Sequence, residues 1–127
     1  MHSRRDVGLA GEKVARQFLE RKGLKIVEMN YRKPWGEIDI IAEKDGVIRF
    51  IEVKSVSRES LEDISRETGE YRPEALVHES KLGKVARTAD LYMNEKGDKR
   101  DYQIDVVGVF LDMQKKKAVC RIFERVL

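Results

Sequence analysis

The chain reads as an α/β fold: a mixed β-sheet flanked by helices, in the order α-β-β-β-α-β-β. Three observations predict it. An Asp45-Gly46 turn joins two apolar-rich runs, two other segments carry apolar residues at helical spacing, and the run from Tyr102 to Asp112 is almost wholly apolar. At 127 residues the chain is long enough for one core and too short for two, so residues 1–127 are expected to form a single domain.

Residues 5 to 22 make the first expected helix. Val7, Ala10, Gly11, Val14 and Phe18 share a stripe at about 100° per residue, and Gly23 ends it. Glu12 falls at the edge of that stripe, beside Leu19. Gly8 and Gly11 resemble a fragment of a phosphate loop, but no strand precedes them, and they are read as close helix packing. Leu24 to Tyr31 is the first strand, and Lys33-Pro34-Trp35-Gly36 leads into the hairpin. From Ser57 to Tyr71 the chain is polar, with charges of both signs, and is expected to be a mobile loop. Pro73 opens a second helix running to about Asn94, because proline is tolerated at a first helical position. Its stripe is Leu82, Val85, Ala86, Ala89 and Met93, with Tyr92 to one side and Lys81 at the margin. Tyr102 to Asp112, with Asp105 as its one internal charge, predicts a strand covered on both faces. Lys117 to Arg125 supplies the last strand.

The hairpin holds the chemistry. A two-residue turn at Asp45-Gly46 needs positive φ at both positions and sets the register: Lys44 opposes Val47, Ile41 opposes Phe50, Ile40 opposes Ile51, Asp39 opposes Glu52 and Glu37 faces Lys54. With side chains alternating, Glu37, Asp39, Glu52 and Lys54 emerge on one face at the open end, and Ile38, Ile40, Ile51 and Val53 on the other. Carboxylates directly opposed at about 5 Å repel by about 4 kcal/mol at an intermediate dielectric. A divalent cation ligated by Asp39 and Glu52 offsets that cost, and oxygen-only coordination suits Mg²⁺ or Mn²⁺. The alternative is a shared proton, or a solvated sheet edge with Lys54 as a simple counter-ion.

Composition narrows the remaining classes. Hydrophobic residues make up 41% and charged residues 39%, and the net charge of +3 is too mild to establish a polyanionic partner on its own. The single cysteine, Cys120, excludes an intrachain disulfide and a thiolate zinc cage, and reads as a buried, inert thiol in a reducing compartment. No apolar segment approaches the roughly 20 residues of a membrane span and no signal peptide is evident, so a cytoplasmic protein is expected. His2 and His78 pair with neither Cys120 nor a serine elbow, which argues against nucleophilic hydrolase chemistry and against zinc. His78 lies near the apolar side of the second helix and is read as structural.

Gly36-Glu37-Ile38-Asp39, a short hairpin, then Glu52-Val53-Lys54, resembles the core of the PD-(D/E)XK nuclease superfamily. Gly11-Glu12, the same two hairpin motifs, Lys81 on a later helix and Ile104-Asp105-Val106-Val107 look more closely like the YraN-type family, described as endonuclease-like. The resemblance spans nearly the whole chain. It implies a restriction-endonuclease-like fold, similar to archaeal Holliday-junction resolvases, and a Mg²⁺- or Mn²⁺-dependent endonuclease acting on DNA, branched or structured DNA included. By resemblance Asp39 and Glu52 are metal ligands, Lys54 the catalytic lysine and Glu12 the helix-borne acid. Glu37 and Lys81 match family positions of less defined role. The chain departs from the pattern at Gln103, where a basic residue is usual, and at Ile104, where an aromatic is usual.

On that reading Arg32, Lys33, Arg72, Lys81 and Lys84 contact DNA phosphates and Trp35 stacks on a base. The plainer readings are solvated charges and a tryptophan packed on the sheet. Paired cleavage of a two-fold symmetric junction requires two sites and hence a homodimer. A nucleic-acid-binding module that kept the fold without turnover is the competing class.

Overall fold

The computed structural model describes residues 2–58, 61 and 76–127. Helix α1 spans Arg4–Arg21, followed by strands β1 (Lys25–Lys33), β2 (Gly36–Lys44) and β3 (Val47–Ser57), helix α2 (Glu79–Lys96), and strands β4 (Tyr102–Asp112) and β5 (Lys117–Phe123). The expected element order holds. Arg72, Pro73 and nearly all of the polar Ser57–Tyr71 stretch lie outside the described residues.

Both helices have explicit stops and starts. Ser3 and Asp6 form a reciprocal capping box on α1. At its end Gly23, with φ +88°, allows the Leu24 N–H to reach the Leu19 carbonyl and the Gly23 N–H that of Glu20. Gly97 ends α2 in the same manner. The start of α2 differs from expectation. His78, in extended conformation, caps the helix through Nδ1, which accepts the Ser80 N–H, so this helix begins at Glu79, and the expected start at Pro73 lies outside the described residues. His78 is therefore an exposed cap, not a side chain on the apolar face.

The five strands among the described residues lie in sequence order across one sheet. β1, β2 and β3 are antiparallel neighbours, β3 and β4 are parallel, and β5 returns antiparallel along β4. The helices cover opposite faces. Val7, Ala15 and Leu19 of α1 pack with Ile40, Ala42, Ile51, Val107 and Val109, whereas Leu82, Val85, Ala89 and Tyr92 of α2 pack with Ile38, Ile41, Phe50 and Val106. β4 is buried from Gln103 to Asp112, as its apolar run requires.

Two glycines bring the layers together. A Cβ on Gly11 would coincide with the Ser55 hydroxyl of β3, and one on Gly36 with the Thr88 hydroxyl of α2. Gly8 faces open space, so the expected packing role belongs to Gly11 alone of that pair. Trp35 is 46% exposed. Cys120 is half-buried against the α1-side core, with burial raising its thiol pKa. The last strand ends at Phe123, not Arg125. There the tail turns inward, and the Arg125 N–H donates to Asp105 and the Val126 N–H to the Ile104 carbonyl.

Candidate active site

The turn behaves as its residues dictate. Asp45 (φ +52°) and Gly46 (φ +77°) hold the left-handed positions, and pairing runs in the expected register from Lys44↔Val47 to Ile40↔Ile51. There it stops. Asp39 and Glu52 are not a ladder pair, because β2 and β3 separate beyond Ile40, and Asp39 Oδ2 accepts the Val53 N–H at 2.7 Å. The expected division of faces also fails in part. Ile38 belongs to the α2-side core while Ile40 belongs to the α1-side core, so β2 changes face at Asp39.

Asp39 and Glu52 nevertheless converge. Their carboxyl groups lie within hydrogen-bonding reach of each other, and Glu52 is only 4% exposed. Burial first, and the neighbouring Asp39 carboxyl second, push the Glu52 pKa up to about 8, with Lys81 opposing the shift. Glu52 Oε1 lies 3.4 Å from the Lys81 ammonium at the base of α2. Glu52 Oε2 is sealed from solvent without a hydrogen-bond donor.

The remaining candidates divide. Glu12 reaches the site from α1. Burial and then the Asp39 charge raise its pKa, while a hydrogen bond from Asn30 and the charge of Arg32 oppose the rise. Glu37 is exposed, paired across the strands with Arg32, and its charge is felt at Lys81. Lys54 is exposed on β3 and lines a cavity of about 640 Å³ with His2, Arg4 and Val7, making no ion pair with another described residue. Lys33 sits over the Tyr31 ring at 5.6 Å, and Lys84 is exposed one turn beyond Lys81.

Two participants escape the hairpin pattern. Lys81 is the counter-ion of Glu52, a role that needs α2 folded across the sheet. Asn30, in the middle of β1 with φ +52°, bonds Glu12. Asparagine is unfavourable inside a strand, and that was the available signal.

Among the described residues no three His, Cys, Asp or Glu side chains gather closely enough to hold a metal ion between them. What the site offers is an oxygen-only donor set: two neighbouring carboxyls, Asp39 half-buried and Glu52 buried, with one Glu52 oxygen lacking a partner. A hard divalent cation that completes its shell with water and substrate oxygens fits this donor set, and zinc does not.

Among the described residues, a five-stranded mixed sheet, flanked by two helices and forked beside Asp39 and Glu52, defines a restriction-endonuclease-like α/β fold. Within that class, residues 11–109 match the uncharacterised protein family UPF0102, the YraN family, and the chain belongs to it. It is 38% identical over 102 residues to a UPF0102 protein of Campylobacter fetus, and 33% identical over 102 residues to one of Campylobacter hominis, covering 80% of this chain and 81% of the relative in each case. A UPF0102 protein of Syntrophomonas wolfei is 36% identical over 116 residues, covering 89% and 91%. No helix among the described residues is long and apolar enough to cross a membrane.

Proposed function

We propose that this protein is a Mg²⁺- or Mn²⁺-dependent endodeoxyribonuclease that hydrolyses phosphodiester bonds, with branched DNA among its substrates. The observation that carries the reading is the buried, donorless Oε2 of Glu52 against the Asp39 carboxyl. Such a pair is costly as two bare anions; in the resting site a proton and the Lys81 ammonium relieve it, and a bound cation would take their place.

Asp39 and Glu52 would hold the ion, which when bound supplies Lewis-acid stabilisation of phosphoryl charge and acidifies the attacking water. The chain's own residues do the rest. The Val53 N–H fixes Oδ2 of Asp39, so that Oδ1 would be the oxygen turned to the ion. Lys81, half-exposed on a flexible stem, lies 3.4 Å from Glu52 in the resting site and can pass to a phosphate oxygen when an ion is bound there. Lys54, beside the same strand end, orients the attacking water and stabilises charge on the phosphoryl group rather than removing a proton. Glu12 accepts a proton or orients water from the α1 side. Arg32, Lys33 and Lys84, together with Arg72, contact flanking phosphates. Paired cuts across a four-way junction need two copies of the chain.

The test is a cleavage panel of linear, nicked, flapped and four-way DNA with Mg²⁺ or Mn²⁺, run beside Glu52→Gln. Cleavage by the wild-type protein alone supports the reading. Equal background in both proteins removes the enzymatic claim, and DNA binding that persists without cleavage leaves a binding module on a nuclease fold.

A further inference from the structure

Asn30 and Asp39 are the two residues that the β1–β2 register passes over, between the pairs Met29↔Ile40 and Tyr31↔Ile38. On a regular ladder those two flanking pairs share a face. Here Met29 and Ile40 pack on the α1 side, whereas Tyr31 and Ile38 pack on the α2 side. Both strands therefore exchange faces between those two pairs, at Asn30 and Asp39. Asn30 supplies the backbone for this, with φ +52°, a conformation asparagine tolerates better than most residues.

The exchange of faces has a chemical result. It sets Asp39 between the two layers, where its carboxyl reaches the Val53 N–H in β3 and faces both Glu12 of α1 and Lys81 of α2. The Asn30 side chain is exposed, so hydrophobic burial does not account for it, and its hydrogen bond goes to Glu12. We infer that Asn30 is a positioning residue: its left-handed backbone turns the strands at the fork, and its carboxamide holds Glu12 toward Asp39, an acid that acts on the proposed ligand pair from outside it and is not a third ligand. This rests on the proposed metal-dependent function.

Asn30→Gly separates the two roles, because glycine keeps the left-handed backbone and removes the carboxamide. Mn²⁺ affinity is measured by titration calorimetry on the full chain without DNA, in wild type, Asn30→Gly, Glu12→Gln and the double variant, with the thermal midpoint of each. Asn30→Gly is expected to keep its midpoint and bind Mn²⁺ about tenfold more weakly, as for loss of an outer-sphere hydrogen bond. In the Glu12→Gln background the same change should cost nothing further, because Asn30 acts through Glu12. Unchanged affinity in Asn30→Gly, or the same loss in both backgrounds, overturns the inference alone. Wild-type protein that takes up no Mn²⁺ overturns the metal reading as well.

Discussion

Asp39 Oδ2 accepts the backbone N–H of Val53 at 2.7 Å, so a side-chain carboxylate closes the gap where β2 leaves β3. The open fork and the acid that occupies it are thus one feature. It satisfies a backbone donor that strand separation would otherwise leave unpaired, and it holds Asp39 against Glu52.

Stability of the metal-free protein should fall as pH rises. The Glu52 carboxyl, ordinarily at 4.5, is held up to about 8, so the folded state binds its proton more tightly than the unfolded chain does. Its contribution is complete below about 4.5 and is lost as pH climbs through about 8. Chemical denaturation in EDTA at pH 5 and pH 8.5 should differ by a few kcal/mol, on the order set by the shift, and Glu52→Gln should flatten that part of the profile. A wild-type profile parallel to that of Glu52→Gln rules this out.

Glu52→Gln should also raise the thermal midpoint of metal-free protein at pH 8.5, since it removes a charge buried against another carboxyl, while abolishing Mg²⁺-dependent cleavage. Added Mg²⁺ should raise the wild-type midpoint and leave the variant unmoved. Equal thermal shifts would place the ion elsewhere.

Lys81→Met removes the counter-ion 3.4 Å from Glu52. Because the lysine is half-exposed, the loss of stability at pH 8 should be modest, about 1–2 kcal/mol, and Mn²⁺ should restore most of it. Cleavage is expected to fall further than Mn²⁺ affinity. A variant as stable and as active as wild type would show the pair to be incidental.

Gly11→Ala should destabilise the α1–β3 contact by about 1–3 kcal/mol, because the new methyl group overlaps the Ser55 hydroxyl. Ser55→Gly in the same chain should recover part of that loss. Additive losses in the double variant, measured by urea denaturation, would contradict the contact.

Asp105→Ala should cost about 2–4 kcal/mol. Asp105 is fully buried. Its Oδ1 accepts Gln103 Nε2 and the Arg125 N–H, each at 2.9 Å, and its Oδ2 lies 3.7 Å from Arg49. Loss of the anchor should also expose the segment from Glu124 to Leu127 to carboxypeptidase, and a tail cut no faster than in wild type would refute the role.

Much of the fold is legible residue by residue. Asp45-Gly46 announces the turn and its register, Val7 to Leu19 and Leu82 to Met93 announce the helices, and Tyr102 to Asp112 announces the covered strand. The acids of the site are legible for the same reason: Asp39 and Glu52 are charges in strands that otherwise carry core residues. Less legible are His78 as a helix cap, Lys81 as the partner of Glu52, and the exchange of faces at Asn30 and Asp39. These depend on contacts between segments far apart in the chain.

Sequence alone determined the periodicities, the turn and the pair of hairpin carboxylates, because each follows from a local backbone preference or a spacing of a few residues. Only the tertiary structure decided that β2 and β3 part at Ile40, that α2 sets an ammonium on Glu52, and that α1 brings Glu12 alongside. The physical reason is that a carboxyl's environment is set by whatever packs over it, and here that is supplied by helices joined to the hairpin through the core.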